Sequence, residues 1–289
     1  MSGFGSLLVI GALASLLASG ASGLGAILLG VAREPALASG AGSQGSVASH
    51  ALRRTSSGLL VGALLLLVAA LVIRAVTIGH APWSNLHEFS LAFATAIVAS
   101  HLVLGRAHPI GGLAPVTALL AAGIVAFALG LDDRVDPLVP ALQQPLLLTV
   151  HVGAAALAYA VSGVAFVAAA GEIVQQRTGD RIPLLPSAAD ARALGHRAVL
   201  VAFPILTIAI VLGSVWANLA WRSYWSNDPK ELAAAATWLV FGAYLHVAGR
   251  RDHWERWAPW LIVLGFAGVL FTYIGAGLFF IGEHSYAAP

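Results

Sequence analysis

The sequence predicts an all-α protein that crosses a membrane several times. Of its 289 residues, 59% are hydrophobic and only 10% are charged, and the mean hydropathy is +0.86. Soluble domains are about 25% charged, whereas a helix that crosses a bilayer needs about 20 consecutive, mostly apolar residues. Stretches of that kind recur along the whole chain. They indicate a polytopic membrane protein with about eight transmembrane helices and exclude a soluble globular domain.

The predicted spans are separated by basic, Gly-rich or Pro-containing segments. They are Gly5–Ala32, Gly58–Ile78, Phe89–Leu104, Leu113–Leu131, Leu146–Ala170, Ala198–Trp216, Leu232–Ala248 and Trp260–Ile281. The first span lacks the basic start and compact apolar core of a cleaved signal peptide, so we interpret it as a membrane helix. Residues 33–57 are rich in Gly, Ala and Ser, which is typical of a flexible loop. We therefore divide the chain into residues 1–57, a first helix with a cytoplasmic loop, and residues 58–289, the main transmembrane domain.

The basic residues predict the orientation of the chain. If the N-terminus lies outside, eleven of the fifteen Lys and Arg residues fall in cytoplasmic loops, and only Arg134, Arg222 and Lys230 fall in outer loops. Cytoplasmic loops carry an excess of Lys and Arg, so this orientation is favoured. We expect a multi-pass protein of the plasma membrane with both termini outside.

The densest cluster of aromatic residues lies at 216–231, WANLAWRSYWSNDPKE, in the predicted outer loop before the seventh span. Trp216, Trp221, Tyr224 and Trp225 occur within ten residues. Trp and Tyr are enriched at any membrane interface, so an interfacial belt is one interpretation. A belt needs no fixed spacing and no adjoining run of charged residues. The alternative is an aromatic shelf that holds a flat, apolar molecule.

The charged end of this loop also has two interpretations. Asp228 and Glu231 suit the positive end of a helix dipole, and Pro229 suits a first helical turn. The run is therefore consistent with a helix cap and nothing more. Alternatively, Lys230 or Arg222 binds carboxylates of a bound ligand, as cations do.

The histidines at the predicted outer side are candidate metal ligands. His151 lies about two turns inside the fifth span, His284 follows the eighth, and His80 lies in an outer loop. An ionisable side chain within a span is expensive and is a functional candidate. Neutral imidazole is a common axial ligand of haem iron. His151 and His284 could bind iron from two sides of a porphyrin lying on Trp221 and Trp225, although a single histidine at a helix end is often only hydrogen-bonded.

Four motifs in the same order resemble the CcsA family (ResC-like, with bacterial members also labelled CcsB) of system II cytochrome c biogenesis. They are GHAPWSNLHEF at 79–89, GSVWANLAWRSYWSNDPKE at 213–231, WLVFGAYLH at 238–246 and GEHSY at 282–286. The second is similar to the tryptophan-rich WWD loop of haem-handling membrane proteins. The chain departs from the family at Asn227, where the family usually has Trp, at Arg222, where it has Gly, and at His87-Glu88-Phe89, where it has Tyr-Glu-Ser.

The resemblance implies a component of a membrane cytochrome c synthase that handles haem b without a covalent bond. It implies that His151 and His284 are outward-facing haem ligands and that His246 ligates a second haem within the membrane. The mate of His246 would come from a CcsB/ResB/Ccs1-like membrane subunit. From the sequence alone, His101 is an alternative mate because it also lies near the inner side.

The same resemblance implies which other residues contact haem. The predicted haem-binding residues of the loop are Trp216, Trp221, Tyr224, Trp225, Asp228 and Lys230. Possible further pocket residues are His80, Asn85, Glu88, Arg222 and Glu231.

The chain contains no cysteine, so thiols in the reaction must come from other molecules. The resemblance implies that they belong to the Cys-x-x-Cys-His segment of apocytochrome c, with a thioredoxin-like reductant as a further possible partner. No nucleic-acid partner is expected. The alternatives are a haem exporter or chaperone without a synthase role and, from another class, a proton- or solute-coupled transporter with a histidine relay.

Overall fold

The computed structural model describes residues 3–31, 43–106, 111–134, 145–248, 257–280 and 282–283. Within these ranges the chain forms eight α-helices and no β-strand. The helices are α1 (Gly3–Val31), α2 (Ser43–Ile78), α3 (Leu86–Leu104), α4 (Ala114–Leu129), α5 (Pro145–Thr178), α6 (Ala188–Trp221), α7 (Pro229–Val247) and α8 (Ala258–Phe279). A 3₁₀ turn, Gly111–Leu113, leads into α4, and Phe271–Gly275 forms a π-helical turn within α8. Each predicted span corresponds to one helix, which confirms the all-α class.

Six of these helices (α1, α2, α3, α5, α6 and α8) are long and apolar enough to cross a membrane by length and composition. Of the eight predicted spans, six therefore correspond to helices of this kind in the described part of the chain. Helix α4 is apolar but has only 16 residues, fewer than the helices that can cross a membrane. Helix α7 has 19 residues but begins with Lys230 and Glu231, which lower its mean hydropathy. Large apolar side chains such as Leu7, Val76 and Leu146 are exposed, as expected where helices face lipid in a polytopic membrane protein.

Several helices extend past the spans that hydropathy marks, because hydropathy detects only the apolar part of a helix. Helix α2 begins at Ser43, so residues 43–57 are helical and the expectation of a flexible loop there is wrong. Helix α5 continues to Thr178. Helix α6 begins ten residues before its predicted span, where the Ser187 hydroxyl accepts a hydrogen bond from the backbone N–H of Asp190 at 3.1 Å. Such an N-cap satisfies one of the backbone donors at the start of a helix.

The helices pack as a bundle in which α1 lies along α2 and α4, and α5 lies along α6. Helix α3 contacts α4 and α5, and α8 contacts α5 and α7. Small residues allow close approach of helices, as is usual in membrane proteins. At Gly265 of α8, a Cβ would lie 2.5 Å from the ring of Phe241 on α7. Only glycine fits this crossing.

Two interhelical segments meet near the end of α2. Arg74, near the end of α2, donates hydrogen bonds to Glu88 Oε1 at 2.7 Å and to the Asp133 carbonyl at 2.9 Å. The Asn85 side chain donates to the Arg134 carbonyl at 3.4 Å. The segment before α3 and the segment after α4 therefore lie together, as the alternation of spans requires.

Candidate functional site

A cavity opens between α3, α5, α6, α7 and α8. It contains about 1190 Å³ of space free of protein atoms, including its open mouth. Ligand sites are commonly clefts lined mainly by apolar and aromatic side chains with a few polar groups, and this cavity has a lining of that kind. Most of its wall is apolar, with aliphatic side chains from α5 and α6 such as Leu148, Val152, Leu206 and Ile210. Trp83 and Trp225 bring two different interhelical segments to this one cavity.

His151 of α5 is the imidazole in the cavity wall. Its Nδ1 lies 2.9 Å from the carbonyl oxygen of Ala209 on α6. Because a carbonyl only accepts, Nδ1 must carry the proton, and in the neutral ring the lone pair is on Nε2. The ring also stacks on Trp216, with centroids 6.1 Å apart and planes at 10°. Two contacts with α6 therefore fix both the tautomer and the plane of the imidazole.

Gly213 makes this position of His151 possible. A Cβ on Gly213 would lie 2.7 Å from His151 Cε1 and 3.2 Å from Nδ1. A Cβ atom does not lie this close to a ring atom, so the His151 ring or the helix would have to move. The His151 ring therefore lies directly on the α6 backbone, where any larger residue would push it away.

Trp216, rather than Trp221, is the tryptophan against His151. Trp216 is 1% exposed and forms part of the cavity wall. The Trp221 ring packs edge-on against Trp216, with centroids 4.8 Å apart and planes at 76°. Trp221 is not part of the wall. It packs against the Trp216 ring, which is part of the wall.

The loop between α6 and α7 places Tyr224 and Trp225 at the cavity. The Ser214 hydroxyl donates to the Tyr224 carbonyl at 2.8 Å. The indole Nε1 of Trp225 donates to Asn227 Oδ1 at 2.9 Å. Asn227 has φ 59, in the left-handed region that asparagine adopts more readily than most residues. The residue that departs from the usual family motif thus holds the neighbouring tryptophan in this loop.

The Asp-Pro-Lys-Glu run forms a helix cap, as one of its two interpretations predicts. Asp228 is the N-cap of α7 and accepts from the backbone N–H of Lys230 at 2.9 Å, while Glu231 accepts from the backbone N–H of Asp228 at 3.2 Å. Lys230 and Glu231 also line the cavity. Arg222 ends α6 in a left-handed conformation and is exposed. Of the two cations proposed for ligand carboxylates, the cavity wall contains Lys230.

A buried ion pair supports the side of the cavity formed by the segment before α3. Arg74 and Glu88 are 2.7 Å apart, with side chains 5% and 1% exposed. The other Glu88 oxygen accepts from the backbone N–H and hydroxyl of Ser84 at 2.8 and 2.6 Å. Asn85 caps α3 and lines the cavity beside Trp83. Glu88 therefore lies behind the cavity wall. It holds in place the segment before α3, which contributes Trp83 and Asn85 to the wall.

The π-helical turn of α8 supplies Thr272 and Tyr273 to the wall. The Tyr273 hydroxyl forms a hydrogen bond with the Ser90 hydroxyl of α3, and its ring packs edge-on against Phe93 at 5.3 Å. Insertions of this kind are frequent at functional sites. Nothing in the local sequence FTYIG indicates a π-helical turn, so the sequence did not predict these two residues.

The remaining predicted histidines lie away from the cavity or beyond the described residues. His246 is exposed in the last turn of α7. His101 is buried in α3, with its Nδ1 2.8 Å from the Thr117 hydroxyl of α4. The Nδ1 of His80 lies 2.9 Å from the next backbone carbonyl. His284 lies outside the described residues, so its pairing with His151 stays a prediction.

Comparison with known proteins shows the family of the chain. The family model for "Cytochrome C assembly protein" matches residues 83–284, a range that includes the whole cavity wall. A protein named cytochrome c biogenesis protein CcsA from Synechococcus sp. (strain CC9902) is 35% identical over 255 residues, covering 77% of this chain and 83% of the relative. The CcsA protein of Chlamydomonas reinhardtii is 35% identical over 232 residues, covering 77% of this chain and 65% of the relative.

A solved structure has the same fold. It is named cytochrome c heme lyase CcmF and matches with a TM-score of 0.64 and 22% identity over 93% of this chain. This chain spans 46% of that longer chain, so the likeness concerns the fold alone. The family match, the CcsA relatives and the membrane bundle lead to one conclusion. The chain belongs to the cytochrome C assembly protein family and is a CcsA-like, system II member with a role in cytochrome c biogenesis.

Proposed function

We propose that the cavity holds haem and presents it for covalent attachment to the Cys-x-x-Cys-His segment of apocytochrome c. His151 is the observation that carries this proposal. Its Nδ1–H donates a hydrogen bond to the Ala209 carbonyl, so the neutral ring keeps its lone pair on Nε2. Histidines that ligate metals usually donate their other ring N–H to a carbonyl or carboxylate in this way.

The wall of the cavity suits the rest of a haem molecule. Haem is a flat, apolar substrate with two carboxylates. Aliphatic side chains of α5 and α6, together with Trp216 and Trp225, offer apolar and aromatic surface. Rings of this kind bury large areas and stack in defined geometries. Lys230 offers a cation for a carboxylate.

The contribution of the chain would be ligation and positioning. We assign His151 as one axial ligand and His284 as the predicted second ligand. The thioether chemistry belongs to the haem vinyl groups and the substrate thiols, as is general for cofactor chemistry. Because the chain has no cysteine, it cannot hold haem by thioether bonds of its own, and we expect b-type haem.

The orientation and the partners are part of the same proposal. The distribution of Lys and Arg favours the cavity end of the bundle facing outside at the plasma membrane. His246, exposed in the last turn of α7, would ligate a second haem together with a residue of a CcsB/ResB-like membrane subunit. Apocytochrome c would reach the haem at the cavity mouth.

Purification from haem-replete cells, alone and with the membrane partner, tests the proposal through the absorption spectrum and the pyridine haemochrome of the bound haem. His151→Ala should lower bound haem and cytochrome c yield, whereas His50→Ala, an exposed histidine of α2, should change neither. Added imidazole should partly restore the His151→Ala protein because it can fill the emptied ligand position. Colourless protein in both preparations would refute the proposal.

A further inference from the structure

Most polar groups in the cavity wall already have partners. The Glu231 carboxylate accepts from the backbone N–H groups of Ser226 and Asp228 at 2.9 and 3.2 Å. The Ser214 hydroxyl donates to the Tyr224 carbonyl at 2.8 Å. These contacts hold the loop in place. Two further groups of the wall are the Lys230 ammonium and the buried indole N–H of Trp83.

Lys230 is a cation without an ion pair. Within the described residues, the ion pairs are Arg74–Glu88, Arg134–Asp132 and Arg192–Glu172. The neighbouring Asp228 carboxylate is engaged with the backbone N–H of Lys230 at 2.9 Å. Burial disfavours the charged form of Lys230, and the charge of Asp228 offsets only part of that cost. An anion in the cavity would stabilise the ammonium group further.

Trp83 is a donor without an acceptor. Its ring lines the cavity, and its Nε1 is buried and has no hydrogen-bond partner in the described part of the chain. Buried indole N–H groups usually find a hydrogen-bond partner. The free-energy cost of a buried donor without an acceptor is larger than the net stabilisation from a typical hydrogen bond. Among the buried side-chain nitrogen and oxygen atoms of the described residues, it is the only one without a hydrogen-bond partner.

We propose that the cavity recognises its ligand through a carboxylate, with Lys230 and Trp83 as the two groups that bind it. Both can only donate, so they fit an anionic acceptor and not another donor. This inference rests on the proposed haem function and adds which part of the molecule the chain selects. The cavity therefore binds a porphyrin with free carboxylates more tightly than the same porphyrin with esterified carboxylates.

Metal-free protoporphyrin IX and its dimethyl ester are suitable probes, because they differ in the carboxylates and need no iron ligand. Each is titrated into the purified full chain in detergent, and quenching of tryptophan fluorescence gives the affinity. Partition into micelles is the same for every variant, so the change in the acid-to-ester affinity ratio is the readout. We expect the free acid to bind at least about tenfold more tightly to the unmodified protein, as charge-assisted hydrogen bonds predict.

Variants assign the selection to the two residues. Lys230→Met should bring the ratio close to one, Lys230→Arg should keep most of it, and Trp83→Phe should reduce it while preserving an aromatic wall. Arg222→Met is the matched control, since it removes a cation of the same loop that is not part of the cavity wall. Thermal melts verify that each variant is folded, and Lys230→Gln replaces Lys230→Met if the latter is not.

The outcomes separate this inference from the proposed function. Equal affinities for acid and ester, or a ratio unchanged by both Lys230→Met and Trp83→Phe, would overturn the carboxylate inference. A chain that is purified with haem but binds neither metal-free porphyrin would also overturn it, and would leave the proposed function standing. Absence of haem from the chain and its complex would remove the proposed function instead.

Discussion

Replacing Gly213 by alanine is expected to empty the proposed haem site without unfolding the protein. The new methyl carbon would lie 2.7 Å from His151 Cε1, whereas carbon atoms in contact are about 3.5–4.0 Å apart. The ring must therefore move by about 1 Å, away from the Ala209 carbonyl that it now meets at 2.9 Å. Binding constellations need their groups placed within about 0.5 Å.

The expected loss is large relative to any effect on the helix. A misplacement of about 1 Å at a reacting group can lower activity about a hundredfold, so we expect bound haem and cytochrome c yield to fall at least about tenfold. Alanine is favoured over glycine in a helix interior by about 0.5–1 kcal/mol, which offsets part of the overpacking. The two effects should leave the melting temperature near that of the unmodified protein.

Gly153→Ala is the matched control. Gly153 lies on α5 two residues from His151, and a Cβ there would meet no atom within 4 Å. Haem per protein is measured by pyridine haemochrome, and cytochrome c yield by haem staining of gels. If Gly213→Ala retained the haem content and cytochrome c yield of Gly153→Ala, the fixed position of His151 on α6 would have no role in haem binding.

Replacing Arg74 by methionine leaves Glu88 as a buried, unpaired carboxylate and should cost about 3–5 kcal/mol of stability; an unchanged melting temperature would contradict this. Asp228→Ala removes the N-cap of α7 and should cost about 1 kcal/mol while haem is retained. Loss of haem from Asp228→Ala at an unchanged melting temperature would instead indicate direct contact with the ligand. Under the proposed function, His246→Ala should lower total haem in the complex with the proposed membrane partner and preserve the haem proposed to bind His151. Equal haem content in the complexes of His246→Ala and the unmodified protein would argue against a second site.

The sequence predicted the parts of the molecule that depend on local composition. Apolar stretches located all eight helices, because the demand for about 20 apolar residues is met within one segment. The cap formed by Asp228 and Glu231 was also predictable, since capping joins residues three positions apart. His151 was selected as an ionisable group within a span, and it does lie in the wall of the cavity.

Features that join distant segments could not be predicted in this way. The support of His151 by Ala209 and Gly213 depends on how α5 packs against α6. The sequence favoured Trp221 and Trp225 as the porphyrin surface, whereas Trp221 packs behind Trp216. That position depends on how α6 ends. The π-helical turn that brings Tyr273 to the cavity depends on packing against α3. None of these arrangements has a local sequence signal.

The ion pair between Arg74 and Glu88 has a consequence for how the protein is made. Arg74 precedes the family-matched range, 83–284, yet it neutralises a carboxylate within that range. During synthesis, α2 emerges from the ribosome with an arginine that is costly to transfer alone into the bilayer. Its counter-ion follows 14 residues later, at the start of α3. We therefore expect α2 and α3 to leave the translocon together as a helical hairpin, and a fragment that starts at residue 83 to insert with Glu88 unpaired.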